Sequence, residues 1–129
     1  MPKILLVEDD PIESRMYQNL FIQEGFEVIA VDNGQDCRQK AVDTKPDIIL
    51  LDAMMPKMNG FEVLDVLRFD PLTRQYPIIM LTNLSDPHYA DEAMKRGATK
   101  FIIKSQMENQ KLVQLVREVI SAYAPKPAA

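Results

Sequence analysis

The sequence predicts a doubly wound α/β fold, one parallel five-stranded sheet with helices on both faces. Three observations carry this reading. Five short apolar runs alternate strictly with longer segments of helical spacing. The runs are apolar throughout rather than at every second position, as in strands buried on both faces. The intervening segments also begin and end on residues that start and stop helices. Right-handed crossovers between parallel strands are the connection such an alternation calls for.

Taken in order, "KILLV" at 3–7 is the first strand. Asp10 before Pro11, with Glu13 three residues after Asp10, reads as an N-cap, a proline at the first helical position and a capping-box partner, and Gly25 closes the helix. "EVIAV" at 27–31 is the second strand, followed by a helix from about Gly34 to Thr44 that Pro46 stops. "DIILL" at 47–51 precedes a helix that starts near Asn59 and ends at Asp70-Pro71. "PIIML" at 77–81 leads to a helix opened by Asp86-Pro87 and ended by Gly97. "KFII" at 100–103 is the last strand. In the final helix Leu112, Leu115, Val116, Val119 and Ile120 form one stripe, the spacing of a helix packed on a sheet. Residues 1–123 are expected to form one domain, and "APKPAA" at 124–129 a Pro/Ala tail or the start of a linker.

Composition narrows the function classes. An apolar content of 47% over 129 residues supports a single core of ordinary size. The net charge is -4 with the basic residues scattered, which argues against direct nucleic-acid binding. Cys37 is the one cysteine, so no intramolecular disulfide can form, as expected in a reducing compartment. The apolar run before Glu8-Asp9-Asp10 is too short for a signal-peptide core, and no stretch reaches the length of a membrane span. These features lead us to expect a soluble, cytoplasmic protein. The eight methionines read as core filler and loop packing, and the lone His88 as a surface residue.

In doubly wound sheets ligands bind beyond the carboxyl ends of the strands. Those ends carry Glu8, Asp9 and Asp10 after the first strand, Asp52 after the third, Thr82 after the fourth and Lys104 after the fifth. Asp32, after the second, is expected to lie apart. Crowded carboxylates repel one another until a proton or a cation intervenes. With oxygen ligands only and no His or Cys cluster, the cation should be hard, and magnesium fits best. A carboxylate beside magnesium, a lysine and a threonine suits the nucleophile of a phosphoryl transfer. Asp10 is better explained as a helix cap. Thr82 alone is an ordinary strand residue and Lys104 alone a solvated amine. Asp52 has no capping role, because the third helix starts several residues later. The constellation therefore carries more than its members.

The stretches "ILLVEDD", "DIILLDAMMPKMNG", "PIIMLT" and "FIIK", in this order, resemble the receiver domain of two-component response regulators, over residues 3–121. The resemblance implies a flavodoxin-like strand order 2-1-3-4-5. It implies that Asp52 accepts a phosphoryl group, in a magnesium-dependent reaction, from a phosphohistidine of a sensor histidine kinase or phosphotransfer protein. Asp9 would ligate the metal directly, Glu8 through water and Met54 by its backbone carbonyl, with Asp52 completing the set. Lys104 would pair with the phosphoryl oxygens, Thr82 would turn its hydroxyl toward them, and Phe101 would be the switch aromatic. The face of the fourth helix, fifth strand and fifth helix would then meet a downstream protein target or effector domain. A phosphorylation-dependent dimer through those helices is a further option. So read, the chain is a signalling switch that catalyses its own phosphorylation and dephosphorylation, rather than an enzyme acting on other molecules.

Three positions depart from the family pattern. Ser105 stands where the family has a proline in a cis bond. Three residues before Glu108, it reads instead as the cap of the last helix, with an altered loop at Lys104. Asn83 follows Thr82 where the family has a small residue, and is expected to narrow access to the phosphoryl group. Phe101 lacks the hydroxyl of a tyrosine, so its switching would rest on packing. Three other readings are weaker. A phosphatase of the haloacid dehalogenase type needs an aspartate where Met54 stands. A flavin-binding domain would hardly build its phosphate loop from three acids. A degenerate interaction module would not need Asp9, Asp52, Thr82 and Lys104 together.

Overall fold

The computed structural model describes residues 1–123, and the expected tail at 124–129 lies outside the described residues. In chain order the elements are β1 (Lys3–Val7), α1 (Pro11–Gln23), β2 (Glu27–Val31), α2 (Cys37–Thr44), β3 (Ile48–Asp52) and α3 (Gly60–Phe69). They continue with β4 (Ile78–Thr82), α4 (Pro87–Lys95), β5 (Lys100–Ile103), a single 3₁₀ turn at Lys104–Gln106, and α5 (Asn109–Tyr123). All pairings are parallel, and the order across the sheet is β2-β1-β3-β4-β5.

The apolar strands feed two cores, one on each side of the sheet. Ile4, Leu6, Ile48, Leu50, Ile79 and Leu81 pack with Tyr17 and Phe21 of α1 and with Leu112, Val116 and Val119 of α5. Leu5, Val7, Ile49, Leu51, Ile78 and Met80 pack with Ala41 of α2, Val63 and Leu67 of α3 and Ala93 of α4. Successive strand residues point to opposite faces, so a strand apolar throughout serves both cores. That is why β3 and β4 are buried along their whole length while the edge strands β2 and β5 are not.

The end signals act largely as read. Asp10 accepts from the Ile12 and Glu13 N–H groups, Asp86 accepts from the His88 N–H, and Pro11 and Pro87 open their helices. Asn59 and Glu62 form a complete capping box at α3. Gly25 (φ +91°) and Gly97 (φ +100°) take the left-handed backbone that follows α1 and α4.

Four details differ from expectation. β3 and β4 begin one residue later than read, so Asp52 and Thr82 are the last residues of their strands rather than the residues after them. Asp47 instead accepts the Lys3 N–H on its carboxylate, and Pro77 has no N–H to give a ladder. α2 starts at Cys37 rather than near Gly34, because the Asn33 side chain captures the Asp36 N–H and holds a turn there. Ser105 is not the cap of α5: it lies exposed inside the 3₁₀ turn, and the Leu112 N–H donates to the Glu108 carbonyl as α5 begins. Among the described residues no peptide bond is cis, so the Lys104–Ser105 bond is trans. The methionines divide between roles: Met55 and Met80 are buried, Met58 and Met107 pack at the core margins, and Met1, Met16, Met54 and Met94 are exposed.

Candidate functional site

The parallel sheet brings the carboxyl ends of β1, β3, β4 and β5 to one edge. There a cleft of about 330 Å³ is lined by Glu8, Asp9, Asp10, Glu13, Asp52, Met54, Thr82, Asn83, Leu84 and Lys104. The residues singled out from the sequence thus meet in one place, except Phe101. Phe101 pairs in register with Met80 and packs against the core beneath α2, α3 and α4. Asp32 lies apart, in a neighbouring groove between β2 and α2.

Asp52 is 8% exposed and Glu8 2%, so two carboxylates sit almost out of water. One carboxylate oxygen each from Glu8, Asp9 and Asp52 lie within 4.8 Å of one another. The Lys104 Nζ faces them, 3.2 Å from Glu8 Oε2 and 3.6 Å from Asp52 Oδ1. It also donates to Glu13 Oε1 at 3.1 Å and sits 6.0 Å from the centre of the Tyr17 ring. The Met54 N–H donates to Asp52 Oδ1 at 3.4 Å, and the Thr82 hydroxyl oxygen accepts the Leu84 N–H at 3.1 Å. That bond uses the Thr82 acceptor and leaves its O–H free to donate into the cleft.

The charges are out of balance. Burial, and then the neighbouring Asp52, push the Glu8 carboxyl up to about 8. Burial raises Asp52 as well, against the pull of Lys104, the Met54 N–H and a hydrogen bond from Glu8. Burial works against the Lys104 cation, but Asp52, Glu8 and Glu13 outweigh it and hold the amine above its ordinary value. Five acids line the cleft against one lysine, so a proton shared between Glu8 and Asp52 is a poor substitute for a cation. An all-oxygen set with room for water and for a phosphate oxygen suits magnesium.

Gly60 explains the end of the "DAMMPKMNG" stretch. A Cβ there would stand 2.3 Å from the Asp52 carbonyl oxygen and 2.7 Å from the Ala53 Cα. Only glycine lets the start of α3 close against the backbone of the Asp52 strand end. Its N–H donates to the Ala53 carbonyl at 2.8 Å, which fixes the loop over the site.

Two contributors escaped the sequence reading. Glu13 was assigned to a capping box, yet its carboxylate turns to Lys104, and the Asp10 N–H donates to Glu8 Oε1 instead. Tyr17, not singled out from the sequence, is a buried core aromatic that also floors the Lys104 amine. Both lie on the inner side of α1, one turn apart, and that spacing is the signal that could have found them.

The family model of the response regulator receiver domain matches residues 4–117. The chain belongs to this family. It is a receiver domain of the two-component response regulators, a signalling switch with the flavodoxin-like fold. The receiver is 35% identical over 106 residues to the chemotaxis protein CheY of Listeria monocytogenes, covering 81% of this chain and 87% of that protein. It is 35% identical over 104 residues to RpaA of Synechocystis sp., a DNA-binding transcriptional regulator, covering 81% of this chain and 43% of RpaA. With MtrA of Mycolicibacterium smegmatis the identity is 32% over 126 residues, 98% of this chain and 54% of MtrA. The chain therefore spans about half the length of these two regulators. Among solved structures, the receiver domain of a histidine kinase from Syntrophus aciditrophicus superposes with a TM-score of 0.88 at 29% identity, covering 100% of this chain and 97% of that one. CheY4 of Vibrio cholerae gives 0.85 at 29% identity, covering 92% and 98%. The family normally uses magnesium in an acidic pocket, and this chain has an acidic cluster of Glu8, Asp9 and Asp52. Among the described residues no helix is long and apolar enough to cross a membrane.

Proposed function

We propose that Asp52 is the phosphoacceptor of this receiver and that the phosphoryl donor is a phosphohistidine on a histidine kinase or phosphotransfer protein. The observation that carries the reading is the pairing of a buried strand-end carboxylate with the Lys104 amine, 3.6 Å away, at the mouth of a cleft. An Asp52 carboxylate oxygen attacks phosphorus, the P–N bond breaks, and its electron pair returns to the imidazole nitrogen. Glu8, Asp9 and Asp52, with the Met54 carbonyl, would hold magnesium, which when bound neutralises charge on the phosphoryl oxygens. Lys104 offsets the charge that remains, and the Thr82 hydroxyl donates to a phosphoryl oxygen. Phe101 follows Thr82 by packing alone, and the face of α4, β5 and α5 passes the change to a protein target. Met54 is exposed at the cleft mouth and Leu84 half-buried beside it. Neither offers attacking water a polar side chain, so the phosphorylated state is long-lived on this reading.

The test is intact mass after incubation with acetyl phosphate and magnesium. The account expects one added phosphoryl group on the wild-type chain, none on Asp52→Asn and none without the metal. The adduct should decay slowly after the donor is removed. Equal labelling of Asp52→Asn would refute the assignment, and rapid loss would refute the lifetime.

A further inference from the structure

Glu13 stands at the third position of α1, where a glutamate ordinarily reaches back to the N-cap N–H. It does not do so here. That N–H, of Asp10, donates to Glu8, and the helix start is already served by the Asp10 side chain. The Glu13 carboxylate instead holds the Lys104 amine at 3.1 Å, nearer than the 3.6 Å that separates the amine from Asp52. Glu13 stands outside the three-carboxylate cluster and spans 91 residues of sequence to make this bond. The Lys104 side chain is 8% exposed, so little solvent competes for its donors. An ammonium has three N–H donors, and two of them are committed to Glu8 and Glu13.

From this arrangement, and resting on the reading of Asp52 as acceptor, we infer that Glu13 is a positioning residue that restrains phosphorylation. It holds the Lys104 amine toward α1 and neutralises part of its charge, so an arriving phosphoryl group must win the lysine from a resident carboxylate. The lysine is poised by its contact with Glu13 as much as by its contact with the acceptor. Receivers with an uncharged residue at this position would lack the restraint.

The test is titration of the magnesium-saturated full chain with beryllofluoride, a phosphoryl stand-in, followed by calorimetry. Glu13→Gln should bind about threefold more tightly than wild type, the size of effect an ion pair with one partly exposed member supplies. Asp32→Asn, which removes an equal charge from the neighbouring groove, should match wild type. In a Lys104→Met background the Glu13→Gln gain should vanish, since the effect runs through the amine. If that background binds too weakly to titrate, labelling rates with acetyl phosphate give the same comparison. Unchanged or weaker binding by Glu13→Gln would overturn the inference, as would an equal gain in both lysine backgrounds. Those results leave the acceptor reading standing. No binding by the wild-type chain would instead overturn the acceptor reading and the inference with it.

Discussion

Glu8 is the residue at which the cost of building this site is concentrated. It is buried beside Asp52, and its carboxyl is pushed from 4.5 to about 8, by burial first and by Asp52 second. A raised folded-state value means that the folded chain holds this proton more tightly than the unfolded chain does. Its stabilising effect is complete below about pH 4.5 and is lost as pH rises through about 8. In metal-free buffer, Glu8→Gln should therefore match wild type in Tm near pH 4.5 and exceed it by a margin that grows toward pH 8. Magnesium should shrink that margin, because it stabilises the chain that keeps the Glu8 carboxylate more than the one that has lost it. A margin independent of pH would contradict this electrostatic account. That Glu8, Asp9, Asp52, Thr82 and Lys104 meet at one edge of the sheet was legible in the sequence, because the carboxyl ends of parallel strands converge there and the constellation carries more than any member alone. The bond from Glu13 to Lys104 was not legible. Local spacing makes Glu13 a capping partner, and only the tertiary arrangement offers it a stronger acceptor role toward a buried cation.

At the scale of elements, the loops at the opposite end of the sheet from the cleft are fastened by one side chain. Arg68 of α3 donates from Nε to the Gly97 carbonyl at 2.8 Å and from Nη1 to the Arg74 and Tyr76 carbonyls at 2.9 and 2.6 Å. It thereby joins the turn before β4 to the turn before β5. Arg68→Ala should cost about 2 kcal/mol in urea unfolding, the worth of charge-assisted bonds to carbonyls left without a partner. Labelling of Asp52 under native conditions should persist, since Arg68 touches no cleft residue. A change below a few tenths would show that the three bonds are replaceable by water. The element order was readable because apolar runs and caps are local signals, and Asn59, Asp86, Pro11 and Pro87 act as read. Strand starts slipped by one residue because Asp47 and Pro77 are settled by neighbours in space. The turn after Lys104 was misread for a related reason. Ser105 has the spacing of a cap, but β5 lies in the sheet and α5 packs on it, and the first three of the five residues between them close into a 3₁₀ turn with the serine outward.

At the scale of the whole molecule, the proposed switch would link the charged cleft to the face of α4, β5 and α5 through the sheet between them. A phosphoryl group on Asp52 would act first on Thr82, one strand away. Beyond Thr82 lies β5, where Phe101 packs into the same core as Tyr89 of α4. α4 is in turn held to α3 by Arg96, which pairs with Asp65 at 2.7 Å and Glu92 at 2.8 Å and lies 5.8 Å from the Phe61 ring centre. On the proposed reading a change at the cleft would reach α4 by packing, through Phe101 and the core it shares with Tyr89, with no hydroxyl on the ring at position 101. All of this depends on where the phosphoryl group is attached. The most direct measurement is reduction of the acetyl phosphate-treated chain with borohydride, which converts an aspartyl phosphate to homoserine, followed by peptide mapping. The account predicts homoserine at position 52 alone, and only when magnesium is present during labelling. Homoserine at another aspartate, or the same yield at position 52 without the metal, would contradict it.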